Sequence, residues 1–344
     1  MRNKILIIQP SIPAYRVPFF QELAKNLGGV DILHFGTKMI FNHQDIQEYL
    51  GSYFSYKSLK YVKDIRLLIK DYDIVISVFD PHWLNLFFLP LISKKKVILW
   101  GHGFGRNNMI NKIRLILAKK SHALITYNEI GKKIFVEHSV ESKKIFVANN
   151  TIWVNNRENT SDRRKRSFIY VGRLQRRKKL ELFFPILSDI DSNKKINFNI
   201  IGDGEHEKKY LKERAAHYNV MDQVNFIPGT TNEDELKQYF SEAYAYISPG
   251  AVGLGLIHSF AYGVPVCTIV DENHGPEISN LVHMQNGVLA SNMAGFSKII
   301  TDCYNDGSFQ KMGNEAYDHY VFNCNMNRMV GSFVNAINFK DELR

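Results

Sequence analysis

The chain has 344 residues, of which 45% are hydrophobic, enough for two sizeable cores and too much for a disordered protein. The formal net charge of +10 is unevenly spread: residues 1–150 carry 22 Lys+Arg against 11 Asp+Glu, and residues 151–344 carry 22 against 23. The basic first half predicts an anionic partner: a membrane surface, a phosphorylated lipid or nucleic acid.

In chain order, Lys4–Gln9, Val30–Phe35, Asp73–Val78, Val97–Trp100, Ala123–Tyr127 and Ile145–Ala148 read as short buried strands. Helical patterns lie between them at Val17–Leu27, Leu59–Lys70 and Asn108–Lys120. Trp153–Arg166 is polar, carries four consecutive basic residues (163–166), and reads as an exposed linker. Alternation restarts with strands at Ser167–Val171, Ile196–Ile201, Val224–Ile227, Ala243–Ser248 and Val264–Ile269. Thr231 and Asn232 before Asp234 and Glu235 predict a helix N-cap, and Gly307–Arg344 reads as helices only. Continuous apolar strands alternating with helices imply parallel sheets covered on both faces. The expected organisation is a domain over 1–152, a linker over 153–166, a second domain over 167–325, and a C-terminal helix over 326–344 packing back on the first domain.

Cys267, Cys303 and Cys324 form no C-x-x-C pair and are too few for a disulfide framework or a structural zinc site, so a reducing compartment fits. The N-terminus does not read as a signal peptide. The longest apolar stretch, Trp83–Ile92, contains Asn85 and Pro90 and is too short to cross a bilayer. The expectation is a cytoplasmic protein whose membrane contact is peripheral.

Three segments of the second half point at phosphate. The strand ending Tyr170-Val-Gly-Arg-Leu174 leads into Gln175-Arg-Arg-Lys-Lys179, which sets Arg173 and Lys178 at a strand's carboxyl end, either as a diphosphate clamp or as a solvated basic loop. Gly202-Asp-Gly204 starts like a dinucleotide fingerprint, but Glu207 stands where the third glycine belongs. It reads as a tight turn that lets a ring or ribose near the backbone. Ser248-Pro-Gly-Ala-Val-Gly-Leu-Gly255 joins a strand to a helix. There the amides of Gly253, Leu254 and Gly255 form an anion site, unless the glycines serve only close packing.

Together these segments resemble the family 4 glycosyltransferases, bacterial surface-polysaccharide type, over most of the chain. Val171-Gly-Arg-Leu174 with Lys178 resembles that family's diphosphate-binding loop. Gly202-Asp-Gly204 and Val224-Asn-Phe-Ile-Pro-Gly229, with Ile227 and Pro228, resemble its nucleoside pocket. Gly253-Leu254 and Gly263-Val-Pro-Val266 resemble its donor-loop helix. Glu277-Ile278 with Asn286-Gly287 resembles its closing segment, and Asn150 the asparagine ending its first domain. The resemblance implies an α/β GT-B architecture, two Rossmann-like domains with parallel sheets facing a central cleft, and a retaining transfer from a nucleotide sugar. One departure stands out. The family's two glutamates, eight positions apart, fall on Gly250 and His258. The second normally contacts the ribose, where His258 can still hydrogen-bond a hydroxyl. The first contacts the donor sugar, and Gly250 has no side chain to do so.

On the acceptor side, His102 lies between glycines in Trp100-Gly-His-Gly-Phe-Gly-Arg106. The resemblance places a histidine near the donor sugar, where it orients a hydroxyl; the other reading is a histidine in a tight turn. Tyr15 and Arg16 sit between prolines after the first strand, and Arg16 either meets phosphate or acceptor groups or caps a structural carboxylate. Residues 56–120 carry 13 Lys+Arg against 4 acidic residues. Leu59, Val62, Ile65 and Ile69 form a helical stripe that either packs on the sheet or lies on anionic lipid.

No carboxylate pair has acid–base placement, which suits a transfer in which the leaving diphosphate takes the acceptor's proton. Arg173, Lys178 and the loop amides would then stabilise the diphosphate without a metal, and the donor is expected to be UDP- or GDP-linked. The acceptor is expected to be a saccharide, carried on a lipid. The alternatives are a nucleotide-sugar epimerase of the same fold and a non-catalytic sugar-nucleotide binder. No nucleic-acid motif or stacking surface supports nucleic acid as a partner.

Overall fold

The computed structural model describes residues 3–155, 157–190, 196–270 and 273–340. It divides into two compact units, Met1–Trp153 with Met326–Arg344, and Val154–Asn325.

The first unit is built on strands β1 (Ile5–Gln9), β2 (Val30–His34), β3 (Ile46–Leu50), β4 (Tyr53–Tyr56), β5 (Leu59–Val62), β6 (Ile74–Val78), β7 (Lys96–Gly101), β8 (Ala123–Thr126) and β9 (Ile145–Val147). Seven of them form one parallel sheet in the order β3-β2-β1-β6-β7-β8-β9. Strands β1, β6, β7 and β8 are buried almost throughout, and this explains their unbroken runs of Ile, Val and Leu. Each face of the sheet packs its own core. One gathers Ile5, Ile7, Phe19, Ile76 and Trp100 with Met329 and Phe333 of helix Met326–Asn338. The other gathers Leu6, Ile8, Val75, Leu99, Leu117 and Phe135. The four residues beyond 340 in the expected C-terminal segment lie outside the described residues.

The segment expected as a helix over Leu59–Lys70 is not one. Strands β4 and β5 form an antiparallel hairpin, Tyr56 opposite Leu59, with Lys57 at φ 52° in the two-residue turn, and only Ile65–Leu68 is helical. The supposed stripe therefore splits. Val62, Ile65 and Ile69 enter the core, while Leu59 stays on the exposed hairpin. Strand β3 escapes a burial pattern because, at the sheet edge, none of its residues is buried.

The second unit contains β10 (Ser167–Val171), β11 (Asn197–Ile201), β12 (Val224–Ile227), β13 (Ala243–Ile247), β14 (Val266–Ile269) and β15 (Gly287–Ala290). Its sheet is wholly parallel, in the order β12-β11-β10-β13-β14-β15. That is the doubly wound order with its reversal between β10 and β13, and ligands of such sheets bind beyond the strand ends at that reversal. Asn232 caps helix Glu233–Ser241, its side chain accepting from the amides of Asp234 and Glu235. The segment expected as an exposed linker is partly built in. Thr160 and Ser161 are buried, the Thr160 hydroxyl donates to the Tyr262 carbonyl (2.6 Å), and the Ser161 hydroxyl donates to Asn314 (2.7 Å).

Candidate functional site

In the second unit the loops after β10 and β13 meet at the sheet's reversal. The amide of Gly250 donates to the Lys178 carbonyl (3.0 Å), and the amide of Ala251 donates to the Arg177 carbonyl (2.8 Å). The Lys178 ammonium then crosses to the Ala251 carbonyl at 2.6 Å. Two loops far apart in sequence are thus laced into one surface, with Lys178 half-buried at its centre and Arg173 exposed beside it. Burial pushes the Lys178 ammonium down to about 8; Arg177 and Arg173 push the same way and Glu277 opposes them. An ammonium in this state gains most from a nearby anion, since the same anion would restore its charge.

The glycine loop has supports that sequence reasoning missed. The amide of Val252 donates to His274 Nδ1 (3.1 Å), and His274 Nε2 lies 2.9 Å from the Ile269 carbonyl, so Nε2 carries the proton. The amide of Gly275 donates to the Val252 carbonyl (2.7 Å). The buried carboxylate of Glu277 stands near Gly253, Oε2 lying 4.0 Å from where a Cβ on that residue would sit. Helix Gly255–Phe260, which starts from this loop, is only six residues long. Its dipole is correspondingly small, so the two cationic side chains carry more of the site's positive character than the sequence suggested.

Two readings of individual residues change. Gly202 and Gly204 have a packing reason of their own. A Cβ on Gly202 would fall 1.9 Å from the Gly172 carbonyl oxygen, and one on Gly204 would fall 2.6 Å from that of Leu174, so both glycines serve the crossing of the β10 and β11 ends. Ile227 and Pro228 close the neighbouring strand end, where the amide of Gly202 donates to the Ile227 carbonyl (3.0 Å). His258 is buried and engaged: Nε2 lies 3.1 Å from Glu233 Oε2, which also accepts from the Tyr262 hydroxyl at 2.8 Å. Burial pushes the Glu233 carboxyl up, but hydrogen bonds from His258 and Tyr262 outweigh it and hold the group below the usual carboxylate value. Glu233 thus supplies a carboxylate beside the position where the resemblance expects one.

In the first unit, Tyr15, Arg16 and His102 gather at one end of the sheet around Trp100 and Tyr127. The His102 ring lies tilted against Tyr127 with centroids 4.8 Å apart, and Trp100 lies 6.1 Å from the same ring. Lost hydration and the Arg114 cation hold the His102 imidazolium below its usual pKa, with Asp80 opposing, so the neutral ring dominates at neutral pH. The flanking glycines answer to packing. A Cβ on Gly101 would press Phe79 at 2.9 Å, and one on Gly103 would press Gly131 at 3.1 Å. Among the described residues Arg16 meets no carboxylate; it is buried, donates to Asn150 Oδ1, and lies 3.3 Å from Met329 Sδ. The capping alternative for Arg16 therefore falls.

Among the described residues, no three His, Cys, Asp or Glu side chains cluster as a metal-binding group, and no helix is long and apolar enough to cross a membrane.

Two doubly wound units, one with paired cationic and glycine loops at its reversal, define the GT-B class of α/β architecture. Residues 151–319 match the family described as Glycosyl transferases group 1. An uncharacterized glycosyltransferase of Haemophilus influenzae is 27% identical over 239 residues, covering 66% of this chain and 65% of that protein, just under two thirds of its length. The crystal structure of a glycosyltransferase from Rickettsia africae ESF-5 superposes with a TM-score of 0.76 at 15% identity, covering 98% of this chain and 100% of that one. Anabaena Alr3699/HepE in complex with UDP gives 0.73 at 13% identity, covering 97% and 99%. These solved structures share the two-domain GT-B fold of this chain.

Proposed function

We propose that the chain transfers a sugar, a hexose in the first instance, from a UDP- or GDP-linked donor to a saccharide acceptor carried on a lipid, with retention of anomeric configuration, in cell-surface polysaccharide biosynthesis at the inner face of the cytoplasmic membrane. The observation that carries this reading is the Lys178 ammonium laced to the glycine loop at the reversal of the second sheet. In the reaction an acceptor hydroxyl oxygen bonds to the anomeric carbon, the bond from that carbon to the diphosphate breaks, and the hydroxyl proton passes to the departing diphosphate. Lys178 and Arg173 stabilise the charge that grows on the diphosphate, and the Gly253–Gly255 amides add to it. The neutral imidazole of His102 orients a sugar hydroxyl. The UDP complex of the Anabaena neighbour favours a uridine donor.

The test is a thermal-shift screen of UDP, GDP, ADP, CMP and TDP sugars, followed by turnover with EDTA present. UDP sugars are expected to raise the melting temperature most, and transfer is expected to persist without divalent metal. A requirement for Mg²⁺ or Mn²⁺ would overturn the metal-independent mechanism. Conversion of the donor with no acceptor added would instead favour the epimerase alternative. Stabilisation without any turnover would favour the non-catalytic binder.

Membrane contact is assigned to the hairpin in place of a helix. Phe54, Tyr56 and Tyr61 are exposed there among Lys57, Lys60 and Lys63, beside a groove of about 1060 Å3 lined by Leu67, Leu84 and Ile92. Aromatic side chains interleaved with lysines suit the interface of an anionic bilayer. Co-sedimentation with vesicles rich in phosphatidylglycerol is expected to fall several-fold in Phe54→Ser/Tyr56→Ser and to vanish in high salt. Equal sedimentation with neutral vesicles would remove the assignment.

A further inference from the structure

A small cavity of about 130 Å3 opens at the carboxyl end of the first unit's sheet, among Gln9, Ser11, Tyr15, Arg16, Trp100 and Tyr127. Three nitrogen donors border it, and none has an anionic partner among the described residues. Arg16 is only 6% exposed, and among the described residues its guanidinium hydrogen-bonds only the neutral Asn150 amide and the Met329 sulfur. Trp100 is 2% exposed, and its indole Nε1 has no hydrogen-bond partner; the side-chain Nε2 of Gln9 has none either.

Each of these features is costly by itself. Burying a cation without a counter-ion is costly even after the structure relaxes. The rings of Tyr15, Trp100 and Phe19, at 5.4, 5.3 and 5.8 Å from the Arg16 guanidinium carbon, offset part of that. Buried unpaired donors are rare in native proteins, and two beside one unpaired cation are better read as a site that lacks its occupant. Water or a sugar hydroxyl would satisfy the Gln9 amide and the indole, but neither would neutralise Arg16. A group with acceptor-only oxygens and negative charge does both. The cavity has room for roughly four waters, enough for a phosphate, or for a carboxylate with its carbon, but not for a whole saccharide.

We propose that this cavity binds one oxyanion group, a phosphate or a carboxylate, borne by the acceptor. Gln9, Arg16 and Trp100 donate to its oxygens, and Asn150 holds the guanidinium in place. That the group belongs to the acceptor rests on the proposed reading of the first unit as the acceptor-binding unit; the oxyanion site itself does not depend on it.

The test follows the indole N–H of Trp100 by NMR in the whole ¹⁵N-labelled protein, assigned by comparison with Trp100→Phe. Inorganic phosphate, glucuronate and uncharged glucose are titrated at constant ionic strength. The Trp100 signal is expected to shift saturably with at least one anion and not with glucose. A response to phosphate alone identifies a phosphorylated acceptor, and a response to glucuronate alone identifies a uronic-acid acceptor. Arg16→Gln is expected to weaken binding at least tenfold and Gln9→Leu several-fold; should Arg16→Gln fail to fold, Gln9→Leu decides. No saturable shift with either anion, an equal shift with glucose, or undiminished binding in Gln9→Leu would overturn the site. Oxyanion binding in a protein that shows no sugar transfer would leave the site standing and remove only its assignment to an acceptor.

Discussion

Lys178→Met is expected to lower sugar transfer by on the order of 10²- to 10³-fold while the protein stays folded, because it removes a fixed positive charge from the developing diphosphate anion. The methionine keeps most of the buried stem, so the loss is electrostatic rather than one of packing. The same lysine gives a pH signature. Its ammonium pKa is lowered by burial from 10.5 to about 8, so in the free protein the charge is lost as pH rises through about 8, whereas the unfolded chain keeps its proton up to about 10.5. Over that window the unfolded state binds more protons than the native state. Stability contributed by this group therefore rises with pH there, and the cost of the buried charge is fully present below it. A bound diphosphate opposes the shift. Binding of UDP within the window is then accompanied by proton uptake, seen in calorimetry as a heat that varies with the buffer's ionisation enthalpy. A buffer-independent heat together with full activity in Lys178→Met would detach this lysine from the diphosphate.

Gly250→Ala should be the most damaging one-carbon addition to the glycine loop. An added Cβ would lie 2.1 Å from the Arg177 carbonyl oxygen and 3.0 Å from the Lys178 carbonyl carbon, so backbone must give way to backbone. Overpacking of this kind costs about 3 kcal/mol. For a unit of this size that is a fall of roughly 6–12 °C in its melting temperature. The displaced loop also breaks the bonds that set Lys178, so transfer should fall with stability. Gly253→Ala is the control: its nearest atom, Glu277 Oε2, lies at an ordinary 4.0 Å, so the unit should melt within a degree or two of the parent. Restoring the family's glutamate as Gly250→Glu should fail for the same reason as alanine. Near-parental melting of Gly250→Ala would show that the two loops do not press together in this way. The glycine at 250 is thus a consequence of how tightly the cationic loop is drawn against its neighbour. The Glu233 carboxylate, tied to His258 and Tyr262, shows a related rearrangement at the second altered position.

The parallel strands and the restart after residue 166 were legible because fully buried strands leave unbroken β-branched runs. The cationic loop was legible as a loop because its basic residues follow directly on a buried strand. What escaped was set by partners distant in sequence. The spacing of Leu59, Val62, Ile65 and Ile69 suits a helix, and only the pairing of Tyr53–Tyr56 with Leu59–Val62 decides otherwise. The turn there carries Lys57 at positive φ in place of the usual glycine or asparagine, so the hairpin lacked its common sign. Strand β15 is four residues long and begins with glycine, too short for a pattern. The packing need at Gly202 and Gly204 was hidden because a glycine that admits a ligand and one that admits a carbonyl are the same letter. Gln9 and Trp100 gave no signal at all, since an unpaired buried donor exists only once the surrounding chain has closed.

Helix Met326–Asn338 supplies Met326, Met329, Val330, Phe333, Ala336 and Ile337 to a core whose other buried members come from the first 148 residues. During synthesis, that apolar sheet face must wait for about 170 intervening residues to emerge before its cover arrives, while Val154–Asn325 closes on its own contiguous stretch. The nascent first half is therefore the part that needs chaperone protection. A stop codon just before Met326 would leave Phe19, Trp100 and their neighbours uncovered, and the product should be aggregation-prone and readily cleared by proteases.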